Sequence, residues 1–186
     1  MIAAIVLAAG ASRRLGQPKQ LVQLAGEALL RRAVRMALET CCGPVLAVLP
    51  TEHARYLAVL EGLDVMPCPN PEADEGMGAS IRLGAKALPA SAEGVLLMTV
   101  DQVAVDSELL RRLVAAWRLD PSRPAGCAYE GRIGIPAIFP RSQFPRLLAC
   151  KGDNGAKGLL NGATHVTFPR GGDDIDTPED LARFTR

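Results

Sequence analysis

The sequence predicts an α/β fold, a mostly parallel sheet with helices on both faces. Three observations lead there. Apolar runs at residues 3–7, 45–49 and 95–100, broken only by Thr99, read as strands buried on both faces. Segments of helical period separate them, at 28–38, 52–60 and 80–88. The two types alternate, and a crossover of this length returns the next strand parallel to the last.

The first strand, 3–7, lies in the apolar run 2–9. That run resembles the core of a secretory leader, but its arginines follow the apolar stretch and no basic segment precedes it, so a buried strand fits better. A helix over 28–38, a strand over 45–49, a helix over 52–60 and a weaker strand over 63–66 come next. A helix over 80–88 leads to the strong strand 95–100, and a helix over 107–117 follows, with Ser107 as its expected N-cap. The pattern changes after Asp120. Runs 125–129 and 135–139 flank Glu130-Gly131-Arg132, which reads as a hairpin turn and a small antiparallel element in the second half. Short helices are expected at 145–150 and 156–160, a late strand at 165–168, and a last helix at 178–184 with Pro178 in its first turn.

Composition narrows the function. The 186 residues suffice for one domain with a sizeable core, and no repeat or linker divides them, so a single domain over 1–186 is expected. The net charge of +1 and the 4% aromatic content argue against a nucleic-acid or membrane-surface binder. Five cysteines without a C-x-x-C pair suggest reduced thiols and a cytoplasmic protein, with adjacent Cys41 and Cys42 packing at a helix end.

The stretch LAAGASRRLGQPK, 7–19, follows the first strand at the end where open α/β sheets bind ligands. Gly10 and Gly16 can take positive φ and bare their N–H groups, and Arg13, Arg14 and Lys19 add charge. Together they suit a phosphate cradle; a surface turn with solvated cations is the plain alternative. The spacing fits neither a Walker A loop nor a G-x-G-x-x-G fingerprint. Asp101 ends the strand 95–100, where a carboxylate can hold Mg²⁺ beside a phosphate or simply cap a turn. Gly76 and Ser80, in GMGAS, open a helix and serve either as a ligand contact or as a cap. The acidic run GDDIDTPED, from Gly172, fits a helix N-terminus with Thr177 as N-cap, and also offers a second carboxylate to a metal.

Taken together, LAAGASRRLGQPK, GMGASIRLG, Asp101-Gln102, GDNGAKGLL and DIDTPEDL resemble the nucleotidyltransferases that act on the molybdenum cofactor, over nearly the whole chain. The later segments, and LAAG in place of LAGG, resemble the cytidylyltransferase branch. The resemblance implies a Rossmann-like fold of the nucleotide-diphospho-sugar transferase type. It implies CTP bound by Leu7, Ala8, Ala9, Gly10, Ser12 and Gly16 of the loop, together with Gly76 and Ser80. Arg14 and Lys19 would sit on the phosphates. Asp101, with Asp176 assisting, would bind Mg²⁺. The acceptor, molybdopterin-bound molybdenum, would meet Gln102, Gly134, Pro136, Gly152 and Asp153. A recipient molybdoenzyme of the xanthine dehydrogenase type is the implied partner.

Two departures stand out: Val103 follows Asp-Gln where proline is frequent, and Ile135 occupies a usually polar position in the turn 132–136. Transfer to a phosphate monoester needs no general base, in keeping with only two histidines, both outside the motifs. A sister enzyme using GTP or another phosphate acceptor, and a carrier of the cofactor without catalysis, remain alternatives.

Overall fold

The computed structural model describes every residue except Cys42, Asn154, Thr185 and Arg186. The Cys41-Cys42 pairing at a helix end and the asparagine of GDNGAK therefore lie outside the described residues. In chain order the elements are β1 (Ile2–Leu7), β2 (Gln23–Leu24), β3 (Glu27–Ala28), α1 (Leu29–Thr40), β4 (Val45–Pro50), α2 (Ala54–Leu60), β5 (Met66–Asn70) and α3 (Met77–Lys86). They continue with β6 (Gly94–Thr99), α4 (Ser107–Leu119), β7 (Ala125–Tyr129), β8 (Arg132–Pro140), α5 (Phe144–Leu148), β9 (Thr164–Thr167) and α6 (Pro178–Phe184).

The expected α/β fold is observed. Seven strands form one sheet in the order β5-β4-β1-β6-β8-β7-β9. Only β8 runs against its neighbours, pairing antiparallel with β6 and β7, while β7 and β9 are parallel. Side chains alternate along β1. Ala4 and Val6 join the core beneath α1 and α4, while Ile5 and Leu7 join the core on the α3 side. Gly84 lets α3 approach β1, since a Cβ there would lie 2.8 Å from the Ile5 side chain. The chain moves from β1 to β4 and β5 on one side and to β6 on the other. That reversal opens a crevice at the carboxyl ends of β1 and β6.

Several boundaries differ from the sequence reading. Asp106, not Ser107, caps α4: its carboxylate accepts the Leu109 N–H at 2.7 Å. The weak strand falls at Met66–Asn70, past 63–66, where Pro67 and Pro69 are tolerated because β5 is an edge strand. Helix α3 starts three residues before Ser80, directly after Gly76 at φ +96°. The 156–160 segment is a short 3-10 turn, Lys157–Leu159. The hairpin turn is tighter than expected. Glu130 and Gly131 take φ +49° and +73°, as a two-residue turn requires, and Arg132 already belongs to β8. The small β2–β3 hairpin, turning through Ala25 and Gly26, had no clear signal. Cys68, Cys127 and Cys150 are free thiols. No helix among the described residues is long and apolar enough to cross a membrane.

Candidate active site

A cleft of about 980 Å³ opens at the carboxyl ends of β1 and β6. Its first wall is the loop after β1. Ala8 donates its N–H to Val48 at 2.9 Å, which keeps the strand direction into the loop. The chain then turns over residues 12–16, with Leu15 and Gly16 donating to the Ser12 carbonyl at 3.1 and 3.2 Å. Gly16 takes φ +72° as expected, but Gly10 does not; Ser12, at +52°, takes the second left-handed position. Ser12 also accepts the Lys19 N–H on its hydroxyl at 3.1 Å.

Gln20, which the sequence reading passed over, locks this loop. It is 1% exposed, and its amide donates to the carbonyls of Ala8 at 2.6 Å and Gly10 at 2.9 Å. A buried amide beside a cation carries no pattern in one sequence. Its role appears only once the chain is folded.

The floor is built from two segments far apart in sequence. Asp101 follows β6, and Asp174 and Asp176 precede α6. Backbone bonds join them: Gln102 and Asp174 form an antiparallel bridge, Ile175 donates to Asp101 at 3.1 Å, and Val103 donates to Asp173 at 3.2 Å. Ile175, fully buried, anchors the acidic segment to the core. Thr177 and Asp180 then exchange hydrogen bonds in a capping box at the start of α6, as expected of Thr177.

The charged residues meet on this floor. The Lys19 ammonium lies 2.8 Å from Asp101 Oδ2 and 2.7 Å from Asp176 Oδ1. Burial lowers the Lys19 pKa, but the two carboxylates outweigh it and raise it above the ordinary value. Burial raises Asp176, but Lys19 and Arg14 together hold it below the usual range. Arg14 reaches Asp176 Oδ2 at 2.7 Å, and Arg13 reaches Asp74 at 3.2 Å from the exposed side of the loop. Asp174 behaves oppositely. Burial, then the charges of Asp101 and Asp176, push its carboxyl up to about 7. Its Oδ1 is buried and has no hydrogen-bond partner.

Asp101 and Asp176 are hard oxygen donors lining the cleft, the chemistry Mg²⁺ selects. The unpartnered Asp174 oxygen in the same lining is a further acceptor that suits a cation. These residues therefore fit the metal that the sequence reading expected, although no preformed set of three ligating His, Cys, Asp or Glu side chains occurs among the described residues.

The far wall comes from the start of α3, the β7–β8 hairpin and residues 153–160. Gly76 leaves room for Asp153, whose carboxylate would meet a Cβ there at 2.3 Å. The Ser80 hydroxyl accepts from Asn70 at 3.0 Å. Leu7, Ala8, Ala9, Gly10, Ser12, Arg14 and Lys19 all line the cleft, as do Gly76, Ser80, Asp101 and Asp176. Gln102, Gly134 and Asp153 line it too. Gly16, Pro136 and Gly152, also expected at the site, do not line the cleft; Gly16 and Gly152 are exposed and Pro136 is buried. Gly16 closes the first turn, Pro136 follows a cis peptide bond in β8, and the Gly152 carbonyl accepts the Gly78 N–H at 2.8 Å. Gln102 is mainly an internal tie, donating to Ile135 at 3.1 Å and Gly171 at 3.0 Å. Asp174, Tyr129, Arg132 and Lys157 are among the further lining residues and were not among the expected site residues. Asp174, Arg132 and Lys157 stood in segments already noted, the acidic run, the turn 132–136 and GDNGAKGLL; only Tyr129 stood outside any functional motif.

Comparison with known proteins agrees with this geometry. Residues 4–167 match the model of the MobA-like NTP transferase domain. The purine catabolism protein PucB of Bacillus subtilis is 32% identical, the match covering 98% of this chain and 95% of PucB. A molybdenum cofactor guanylyltransferase of Rhodobacter capsulatus is also 32% identical, over 98% of this chain and 94% of its own. Among solved structures, Rv0371c of Mycobacterium tuberculosis superposes with a TM-score of 0.82 at 28% identity, covering 99% of this chain and 96% of that one. A nucleotidyl transferase from Methanothermobacter, Mth528, gives 0.81 at 25% identity, covering 100% and 96%. With a glycine-containing loop, paired aspartates and a lysine on one floor, and the family model spanning most of the sequence, the chain belongs to the MobA-like NTP transferases.

Proposed function

We propose that the protein transfers CMP from CTP to the phosphate of molybdopterin-bound molybdenum cofactor, forming the cytosine dinucleotide and releasing pyrophosphate. The observation that carries the transfer is the Lys19 ammonium held between Asp101 and Asp176 at the foot of the glycine loop. Leu7, Ala8, Ala9, Gly10, Ser12 and Arg14 would cradle the triphosphate, with Gly76 and Ser80 on the α3 side. Gly16 would shape the loop.

Asp101, with Asp176, would hold Mg²⁺, whose chemistry there is neutralisation of phosphate charge. Lys19 and Arg14 add fixed positive charge where negative charge grows in the transition state. An oxygen of the acceptor phosphate attacks the α-phosphorus, the bond from that phosphorus to the pyrophosphate oxygen breaks, and pyrophosphate departs with the electron pair. The acceptor phosphate has a second pKa of roughly 6, so it attacks as an oxyanion and requires no general base. In-line positioning by the cleft supplies the rest of the acceleration. Gln102, Gly134 and Asp153 would contact the acceptor, with Pro136 and Gly152 supporting that wall.

The choice of cytosine is supported by LAAG at 7–10, which resembles the cytidylyl branch. A second reading, transfer of GMP, is favoured by the similarity to the Rhodobacter guanylyltransferase over nearly the full chain. Mass analysis of the product formed from molybdenum cofactor with an equal mixture of CTP and GTP decides between them. The cytosine dinucleotide supports the proposal, and the guanine dinucleotide overturns its base assignment.

A further inference from the structure

We propose that Arg132 receives the phosphate group of the acceptor and that Tyr129 is the positioning residue that holds its guanidinium there. The inference deepens the transfer reading given above and rests on it.

Attack on the triphosphate brings two strongly anionic groups together, so each needs its own cations. In the transfer reading, Arg14 and Lys19 of the first loop serve the triphosphate and the carboxylate floor, Arg14 pairing with Asp176 and Lys19 with Asp101 and Asp176, while Arg13 lies on the exposed side of that loop beside Asp74. Arg132 lines the same cleft from β8, which lies on the far side of β6 from β1. Asp101, Asp174 and Asp176 line that cleft as well, so the guanidinium shares it with the carboxylate floor.

The guanidinium is held for a ligand more than for structure. It lies over the Tyr129 ring, 5.1 Å from the ring centre. The ring itself cannot shift far. Its hydroxyl donates to the Ile135 carbonyl at 3.3 Å, and its edge meets Phe168 with centroids 6.1 Å apart. Gly134 and Gly171 close on it so tightly that a Cβ at either would come within 2.3 Å. Arg132's ion-pair partner is Glu130, at 3.1 Å, with the two side chains 53% and 58% exposed. Such a pair in solvent is weak, whereas a phosphate dianion can accept two parallel hydrogen bonds from one guanidinium. Exchange of Glu130 for a phosphate group is therefore favourable.

The test reads phosphate binding without turnover. Inorganic phosphate is titrated, by phosphorus NMR, into protein whose triphosphate site is saturated with a non-hydrolysable CTP or GTP analogue. Wild type is expected to bind it, Arg132→Ala to bind at least about ten-fold more weakly, and Arg132→Lys to fall between them. Tyr129→Leu is expected to weaken binding while nucleotide affinity stays within two-fold of wild type. Steady-state kinetics should give the same split, with the Arg132→Ala defect in the KM for acceptor and not in the KM for nucleotide. Equal phosphate binding by wild type and Arg132→Ala, absence of binding by wild type, or a loss of nucleotide affinity in Arg132→Ala would each overturn the proposal. If phosphate binding depends on Arg132 but molybdenum cofactor accepts no nucleotide, the acceptor assignment falls and the Arg132 site stands.

Discussion

Lys19 Nζ bonds Asp101 Oδ2 at 2.8 Å and Asp176 Oδ1 at 2.7 Å, joining residues 82 and 157 positions away in the chain. One ammonium thus holds together two carboxylates that would otherwise repel. Lys19→Ala should lower transfer by on the order of 10² to 10³, the loss seen when one preordered electrostatic contact is removed, about 3 kcal/mol. The variant should stay folded, because the site is an open cleft and not the core. It should also gain more thermal stability from added Mg²⁺ than wild type does, since a metal would replace the missing charge. Asp101→Ala should lose transfer equally and show no such gain. Pyrophosphate release and thermal melts with and without Mg²⁺ check both.

Asp174 predicts a pH signature. Its carboxyl sits at about 7 in the folded protein, against about 3.9 in an unfolded chain. Between roughly pH 4 and 7 the folded state holds the extra proton, so this group's contribution to stability falls as pH rises. The penalty is absent below that window and complete above it. Asp174→Asn should therefore be more stable than wild type at pH 8, with the difference shrinking toward pH 4. Melting temperatures measured in the absence of metal follow it, and a constant difference across that range would contradict the assignment.

Gln20 is expected to act on the nucleotide through the backbone. Gln20→Leu leaves the Ala8 and Gly10 carbonyls without their donor, at a cost of about 1–3 kcal/mol. Looser loop geometry should then weaken CTP binding more than acceptor binding. Calorimetric titration of CTP into the variant measures this, and unchanged affinity would show that the loop holds its shape without the amide.

Two glycines separate crowding from backbone conformation. A Cβ at Gly78 would lie 2.6 Å from the backbone of Lys151, so Gly78→Ala should cost about 1–3 kcal/mol and push residues 151–153 away from α3. At Gly16 a Cβ meets nothing within 4 Å, but φ is +72°, so Gly16→Ala should cost only roughly 1–2 kcal/mol. Chemical denaturation ranks them.

Much of this arrangement was legible in the sequence, and for stated reasons. Buried parallel strands such as Ile2–Leu7 read as continuous apolar runs, and glycines, cations and aspartates gather where those runs end. That was enough to bring Arg14, Lys19 and Asp101 to one end of the sheet, whereas Asp176 was reached through the resemblance of DIDTPEDL to the family's segment. What stayed hidden depends on pairing between distant segments. The bridge of Gln102 to Asp174 delivers Asp174 to the floor, and no local pattern announces it. Gln20 looked like an ordinary polar residue and Gln102 like an acceptor contact, yet both are buried ties between carbonyls. Tyr129 and Arg132 were visible only as a hairpin, because their stacking depends on the tight turn through Glu130 and Gly131. The α4 cap was misplaced by one residue because aspartate and serine, adjacent at 106 and 107, are equally good caps.

The most direct test of the account is pyrophosphate release by the purified protein with each of the four ribonucleoside triphosphates, with and without Mg²⁺ and with and without molybdenum cofactor. The account predicts release with CTP only when both metal and cofactor are present. Release that needs no cofactor, or none with any triphosphate under these conditions, would contradict it.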